Sequence, residues 1–496
     1  MDPTPHTASA TPSTEITTPR WNGQPGTKRY PAPSWRGRSG PTPDIETRPL
    51  GPVLMALTQA DLELQELTTL PPTIIDAKYV ASYSWLNKKS PTIVVPGAPP
   101  AWTPLDSPRK LREDSGKFFR DPNAARFATY PTEPAIQALF KEHPEFQTTD
   151  IDIFGCGSTF GNLLRFASGV DKPFRFSVEV IGNTVFFIRK ENSPTELIPN
   201  VRGYGHTFPE NYTTWASDVK GSESHQRLIK YSFGGFDCVV RFECDGYLPD
   251  HPDVATRKAA APVTLDPASL VDSFTTASIS PTRSETAAEL KVETAGFRMP
   301  QTAIFDIKTR SNRHRPEIDM TDVYPRLWVT QTPNFIVGYH HGDGIFRDIR
   351  QKDIRRDLAG WEEENANALT RLAALMHKIV DFARTSSHAK FEVYRPVADR
   401  LEIREQPDEG RDALPSGLKA KWAQGPKALG RKSVNVANPW EDGEKCAISK
   451  SSSDKLANAQ PTSEKMTEAT WGNADEHEVD YTACSESCGY CGHCTY

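Results

Sequence analysis

Two nearby stretches, Asp237-Cys-Val-Val-Arg-Phe-Glu243-Cys-Asp245 and Ala303-Ile-Phe-Asp306-Ile-Lys308-Thr-Arg310, set ionisable groups inside runs of β-forming residues. A strand sends residues i and i+2 to the same face. Glu243 is therefore expected to share a face with Asp245, and Asp306 with Lys308. Carboxylates and an ammonium on the buried side of a sheet are costly unless they meet a metal or one another. Any fold this chain adopts has to bring such groups together.

The predicted fold class is α/β (α+β): a mixed β-sheet core flanked by helices. The chain has 496 residues, yet only 37% are hydrophobic, and much of its proline (42 residues), serine and threonine sits in three blocks. That composition predicts one core of about 300 residues with disordered extensions. Residues 1–50 are expected as a disordered tail, 51–400 as the core with a flexible insertion near 250–295, 401–480 as a low-complexity linker, and 481–496 as a cysteine-rich tail. In the first block Arg20, Lys28, Arg29, Arg36 and Arg38 interleave with Trp21, Tyr30 and Trp35. Two readings stand: a stacking, phosphate-touching tail and a solvated one. A formal net charge of −6 excludes a global positive field, so a nucleic-acid partner has to be held by a local patch or through metal. No apolar run approaches the roughly 20 residues that span a bilayer, and the N-terminus lacks an apolar signal core. No membrane partner is expected; the protein is expected to be soluble and intracellular, in nucleus or cytoplasm.

Within the core, Phe174–Ile181 and Thr184–Arg189 flank Gly182-Asn183, and a second strand pair meets at Gly234-Gly235. Both are hairpin signals. Pro325 opens a short helix that carries Gln331 and ends before Pro333. Asn334–Tyr339 and Ile345–Ile349 are expected to pair as strands. Trp361, Leu369, Leu372, Leu375, Ile379 and Phe382 recur at helical spacing over 353–384, the apolar stripe of one long core helix.

Glu210, Glu243, Asp245, Asp306, Lys308 and Gln331 then follow one another along the core. This layout resembles a nuclease-like, phosphodiester-cleaving core of the PD-(D/E)xK type, in which two carboxylates come from adjacent strands. Carboxylate oxygens suit Mg²⁺ or Mn²⁺, and a lysine beside them orients the attacking water and offsets phosphate charge. A second ion, through Glu210 and Glu243, would face the leaving oxygen. The bland alternative is a set of surface salt bridges on a two-faced sheet.

These motifs resemble the DXO-like RNA decapping nucleases over about residues 150–385. The family's Gly-x-Glu-x-Asp strand is similar to Arg241-Phe-Glu243-Cys-Asp245, with Arg241 in the glycine position. Its Glu-Leu-Lys strand resembles Asp306-Ile-Lys308, and its Trp-x-x-Gln helix and following strand resemble Trp328-Val-Thr-Gln331 and Ile336-Val-Gly-Tyr339. Its Gly-aromatic-x-x-Glu segment resembles Gly205-His-Thr-Phe-Pro-Glu210, with one residue extra here. The resemblance implies action on RNA five-prime ends. It also implies metal ligation by Glu210, Glu243, Asp245 and Asp306, catalytic roles for Lys308 and Glu243, and contact of Gln331 with the nucleophile or backbone. One departure bears on activity: Gly157 stands at or near the position of a phosphate-supporting arginine, with Arg165 a turn or two away. The Gly155-x-Gly157 turn is either a phosphate-binding backbone nest or simply a turn.

The whole chain also resembles a broad group of filamentous-fungal proteins, some labelled geranylgeranyl pyrophosphate synthetase. The Val95-Pro-Gly-Ala-Pro-Pro-Ala-Trp102-Thr-Pro104 run and a cysteine-rich end carry that likeness. Prenyl transfer of that kind needs two Asp-rich helical clusters, and the chain has no Asp-Asp pair. Cys484, Cys488, Cys491 and Cys494 offer four thiolates, enough for a closed Zn²⁺ site although crowded for one; a disulfide-prone tail or an Fe–S clip are the alternatives. The rival to an enzyme is a catalytically inactive protein of the same fold that binds RNA ends or a protein partner.

Overall fold

The computed structural model of the chain describes residues 49–63, 73–191, 193–198, 201–254, 289–312, 317–321, 323–397, 399–407 and 412–425. The expected N-terminal tail, most of the central insertion, most of the linker and the four terminal cysteines lie outside the described residues. Three cysteines are described, Cys156, Cys238 and Cys244, and all are buried free thiols.

Two sheets build the core. The larger has eleven strands in the order β1 (Val53–Leu57), β17 (Arg400–Glu405), β16 (Lys390–Val397), β6 (Phe174–Ile181), β7 (Thr184–Arg189), β5 (Ile153–Cys156), β10 (Phe236–Glu243), β9 (Ser222–Phe233), β2 (Ile75–Leu86), β3 (Thr92–Gly97) and β12 (Lys291–Gly296). The smaller has six: β15 (Asp348–Asp353), β14 (Asn334–His340), β13 (Ile304–Ser311), β11 (Gly246–Tyr247), β4 (Ala101–Trp102) and β8 (Thr213–Thr214). Both expected hairpins form, β6 with β7 and β9 with β10, the second turning at Gly234 and Gly235 with φ of 58° and 87°.

Helices cover both faces of the larger sheet. On one side lie α3 (Gly157–Ala167), α5 (Tyr324–Thr330), α6 (Arg355–Glu364) and α7 (Ala366–Thr385), which bury Leu163, Leu327, Trp361, Leu372 and Ile379 in one cluster with Val240 and Phe176 of the sheet. On the other side α2 (Glu133–Glu142) and α8 (Ser416–Gln424) bury Ile136, Leu139 and Trp422 against Phe154, Phe186 and Val239. Val239 and Val240 are consecutive and face opposite layers, as strand alternation requires. A third cluster packs α4 (Thr207–Tyr212), through Phe208 and Tyr212, onto Phe305, Ile307 and Ile336 of the smaller sheet. One further helix, α1 (Pro122–Arg126), is capped by Asp121, which accepts the Ala124 N–H at 3.0 Å.

Three sequence expectations change. The long helix over 353–384 is two helices that meet at Asn365, whose side chain donates to the Trp361 carbonyl at 2.8 Å. An asparagine that bonds its local backbone competes with helix continuation. The strand expected at Ile345–Ile349 instead occupies Asp348–Asp353, because residues 341–345 form a turn in which Asp343 accepts the Ile345 N–H at 3.1 Å. The region from 401, expected as linker, begins inside β17 and continues to α8. There Trp422, 1% exposed, packs among Phe140, Phe154 and Phe186 and donates to Thr184 at 2.9 Å. A single tryptophan in a polar segment has no periodicity to betray it.

Among the described residues no helix is long and apolar enough to cross a membrane.

Candidate functional site

The two motif strands do not share a sheet. β10 ends at Glu243 in the larger sheet, and the chain crosses through Cys244 and Asp245 to β11 in the smaller one. β11 pairs antiparallel with β13, Gly246 opposite Phe305. Continuing that register places Asp245 opposite Asp306. A side chain at Gly246 would meet the Phe305 ring at 2.3 Å and the Pro100 carbonyl at 2.8 Å, so the crossing needs a residue without Cβ. The tight crossing carries the first acidic motif out of the larger sheet and onto the strand beside β13, and this joins the two motifs.

Asp245 accepts the Ile307 N–H at 2.8 Å. The Asp306 carboxylate receives Arg326 Nη2 at 2.5 Å, and Lys308 Nζ lies 3.8 Å from the same oxygen. Burial first, and then the neighbouring Asp306 charge, push the Asp245 carboxyl up to about 6, against the pull of Lys308, the Ile307 N–H and Arg326. Two acids and two cations thus form one compact, mutually compensated group.

The group lies in a cleft of about 740 Å³ whose walls include Glu210, Glu243, His206, Arg241, Phe118 and Gly157. Glu243 faces Gln226 across the β9–β10 pair, with the Gln226 amide donating at 3.4 Å, and Arg241 donates to the other end of that amide at 3.1 Å. Arg241, in the position where the resembled motif has glycine, therefore buttresses the Glu243 wall. Glu210 rides on α4, whose first turn is held by Asp114: its carboxylate accepts the His206 N–H at 2.9 Å and the Thr207 N–H at 2.8 Å. Burial, then the Asp114 charge, raise the Glu210 carboxyl above the ordinary range, partly offset by Arg112. The His206 ring stacks on Phe118 with centroids 3.8 Å apart. Burial holds its imidazole below the usual value, with Asp114 opposing and Lys308 assisting.

Asp245, Asp306 and Lys308 are thus brought together, while Glu210 and Glu243 stand on the walls. Gln331 is outside the cleft lining. It takes a left-handed conformation (φ 49°) as the C-cap of α5, and its carboxamide donates to the Trp328 carbonyl at 2.6 Å. Arg326 and Thr330, one helical turn apart, form the face of α5 that lines the cleft. Sequence reasoning missed Arg326, although the i, i+4 relation excludes Gln331 from the Thr330 face. Gly157 opens α3 at the cleft, and a Cβ there would meet Thr330 Cγ2 at 3.2 Å, so the approach of α5 leaves little room for a longer side chain. Arg165 points elsewhere and donates to Asn162 at 2.7 Å.

Among the described residues no three His, Cys, Asp or Glu side chains gather tightly enough to cage a metal. The Asp245–Asp306 pair nevertheless fits a hard divalent cation: Mg²⁺ commonly takes one or two carboxylates and completes its shell with water and substrate phosphate. The electrostatic cost that drives Asp245 up is one that a dication between the pair would relieve.

No curated protein matches the sequence. Among solved structures, the chain is similar to Scheffersomyces stipitis Rai1 in complex with (3'-NADP)+ and calcium ion, at 12% identity and a TM-score of 0.48, covering 76% of this chain and 99% of that one. It is similar to Candida albicans Rai1 in complex with pU5-Mn2+, at 11% identity and a TM-score of 0.45, covering 75% and 100%. For K. lactis Dxo1 in complex with manganese the values are 9% identity, a TM-score of 0.40, and 71% and 97% coverage. A family model matches residues 56–419, from β1 through the first turn of α8. The chain belongs to the family described as a domain of unknown function (DUF8563).

Proposed function

We propose that the chain is a divalent-metal-dependent phosphohydrolase acting on RNA five-prime ends. The observation that carries the chemistry is the opposed Asp245–Asp306 pair, compensated by Lys308 and Arg326 at the wall of an open cleft. The five-prime-end assignment follows the motif resemblance. Asp245 and Asp306 would hold Mg²⁺ or Mn²⁺, which when bound supplies Lewis acidity and lowers the pKa of a water. The Ile307 N–H keeps Asp245 in place, and Lys308 offers its ammonium to phosphate and attacking water. Glu243, oriented by Gln226, accepts a proton or a second ion from the wall. Gln331 acts from behind as the cap that fixes the end of α5.

The test is release of product from five-prime-modified RNA with Mg²⁺ or Mn²⁺ present. Asp306→Asn and Lys308→Ala should each lower turnover by on the order of 10²-fold or more. Turnover unchanged in both variants rules the site out. The rival, a non-catalytic protein that binds RNA ends or a protein partner, draws on the closure of Asp306 by Arg326, and predicts RNA retention with no turnover at any metal concentration. A prenyl synthase is disfavoured: strands of both β-sheets contribute to the cleft lining, and the chain has no Asp-Asp pair.

A further inference from the structure

Arg326 lines the cleft and bonds the carboxylate proposed to hold the cation. Its guanidinium reaches Asp306 Oδ1 at 2.5 Å from the first turn of α5, a different element from the strand that carries the acid. Lys308 approaches the same oxygen at 3.8 Å but is rooted in β13, two residues from Asp306. Its side chain is 10% exposed against 19% for Arg326. The lysine is therefore built into the acidic strand, and the arginine reaches in from the more open side.

The charges close on themselves. Two carboxylates and two cations sum to zero, so a dication seated between the acids leaves an excess of two positive charges. Asp306 Oδ1 cannot serve a metal and the Arg326 guanidinium at full strength together. One cation has to give way, and Arg326 is the one bonded to that oxygen and carries the more exposed side chain. A planar guanidinium released into the cleft matches phosphate oxygens in a two-point fork, which an ammonium cannot do.

We propose that Arg326 is an exchangeable counter-ion: it neutralises Asp306 while no divalent cation is bound and passes to a substrate phosphate when one is. Metal and phosphate then bind cooperatively, each favouring the other by the same factor. This inference rests on the cation seat argued above.

Mn²⁺ titration of the full chain by calorimetry, alone and with 5'-AMP, tests it. In the wild-type protein, saturating 5'-AMP should tighten Mn²⁺ binding by on the order of tenfold. Arg326→Gln should bind Mn²⁺ alone more tightly than wild type and lose most of the response to 5'-AMP. Arg326→Lys should return the Mn²⁺ affinity towards wild type while recovering little of the coupling, with thermal melts showing both variants folded. Mn²⁺ affinity in Arg326→Gln equal to or weaker than wild type, or coupling left intact, overturns the exchange and leaves the seat standing. Wild-type protein that takes up no Mn²⁺, or uptake unaltered by Asp306→Asn, overturns the seat and the exchange with it.

Discussion

Asp245 illustrates how one side chain reports the chemistry of a site. Its carboxyl is lifted from an ordinary 3.8 to about 6, chiefly by burial and then by Asp306. The folded chain thus holds this proton more tightly than the unfolded chain does. The group's contribution to stability is fully present below the unfolded value and is lost as pH rises through about 6. In metal-free protein at pH 7.5, Asp245→Asn should therefore raise stability, by on the order of 1–3 kcal/mol. It should do little at pH 4 and should weaken Mn²⁺ uptake. Denaturant titrations at the two pH values check this; a variant equally destabilised at both would show that Asp245 is a structural acceptor for Ile307 and nothing more. That Asp245, Asp306 and Lys308 belong together was legible from alternation and cost of burial. That Arg326 joins them was not, since its partner lies twenty residues earlier on another element.

At the scale of elements, strands and hairpins were the most readable, because β-branched runs around Gly-Asn and Gly-Gly leave few alternatives. Helix interruptions and helix caps were less so. Gln331, expected at the chemistry, instead caps α5, because a left-handed residue at a helix end turns its side chain back on the last turn. The helix α8 escaped notice altogether. Its anchor is Trp422, whose ring touches Phe140, Phe154 and Phe186 beneath the larger sheet. Trp422→Ala should cost about 3–5 kcal/mol, the range for removing a buried aromatic. Chemical denaturation measures it, and a loss below about 1 kcal/mol would mean that α8 is a dispensable covering.

For the molecule as a whole, the cleft exists because the chain changes sheets between β10 and β11. The elements that line it come from residues 85 to 332, and the fold that supports them closes only with α8. A chain ending after Gly425 should accordingly keep its cooperative melt and its Mn²⁺ uptake. A chain ending after Glu405, which lacks Trp422, should lose much of its stability. Circular dichroism melts and Mn²⁺ titration compare them; loss of Mn²⁺ uptake on removal of 426–496 alone would move the metal site to the terminal cysteines.

Local patterning alone determined the central strands around the acidic motifs, the two hairpins, the apolar helix stripe and the short list of candidate residues for holding a cation. Each of these depends on neighbours a few positions away, and spacing encodes such neighbours. Tertiary structure alone decided that the acidic motifs meet across two sheets, that Glu210 and Glu243 stand back on the walls, and that Arg326 replaces Gln331 at the acids. Those outcomes depend on how elements distant in the chain approach one another, and on the absence of a Cβ at Gly246 that lets them do so.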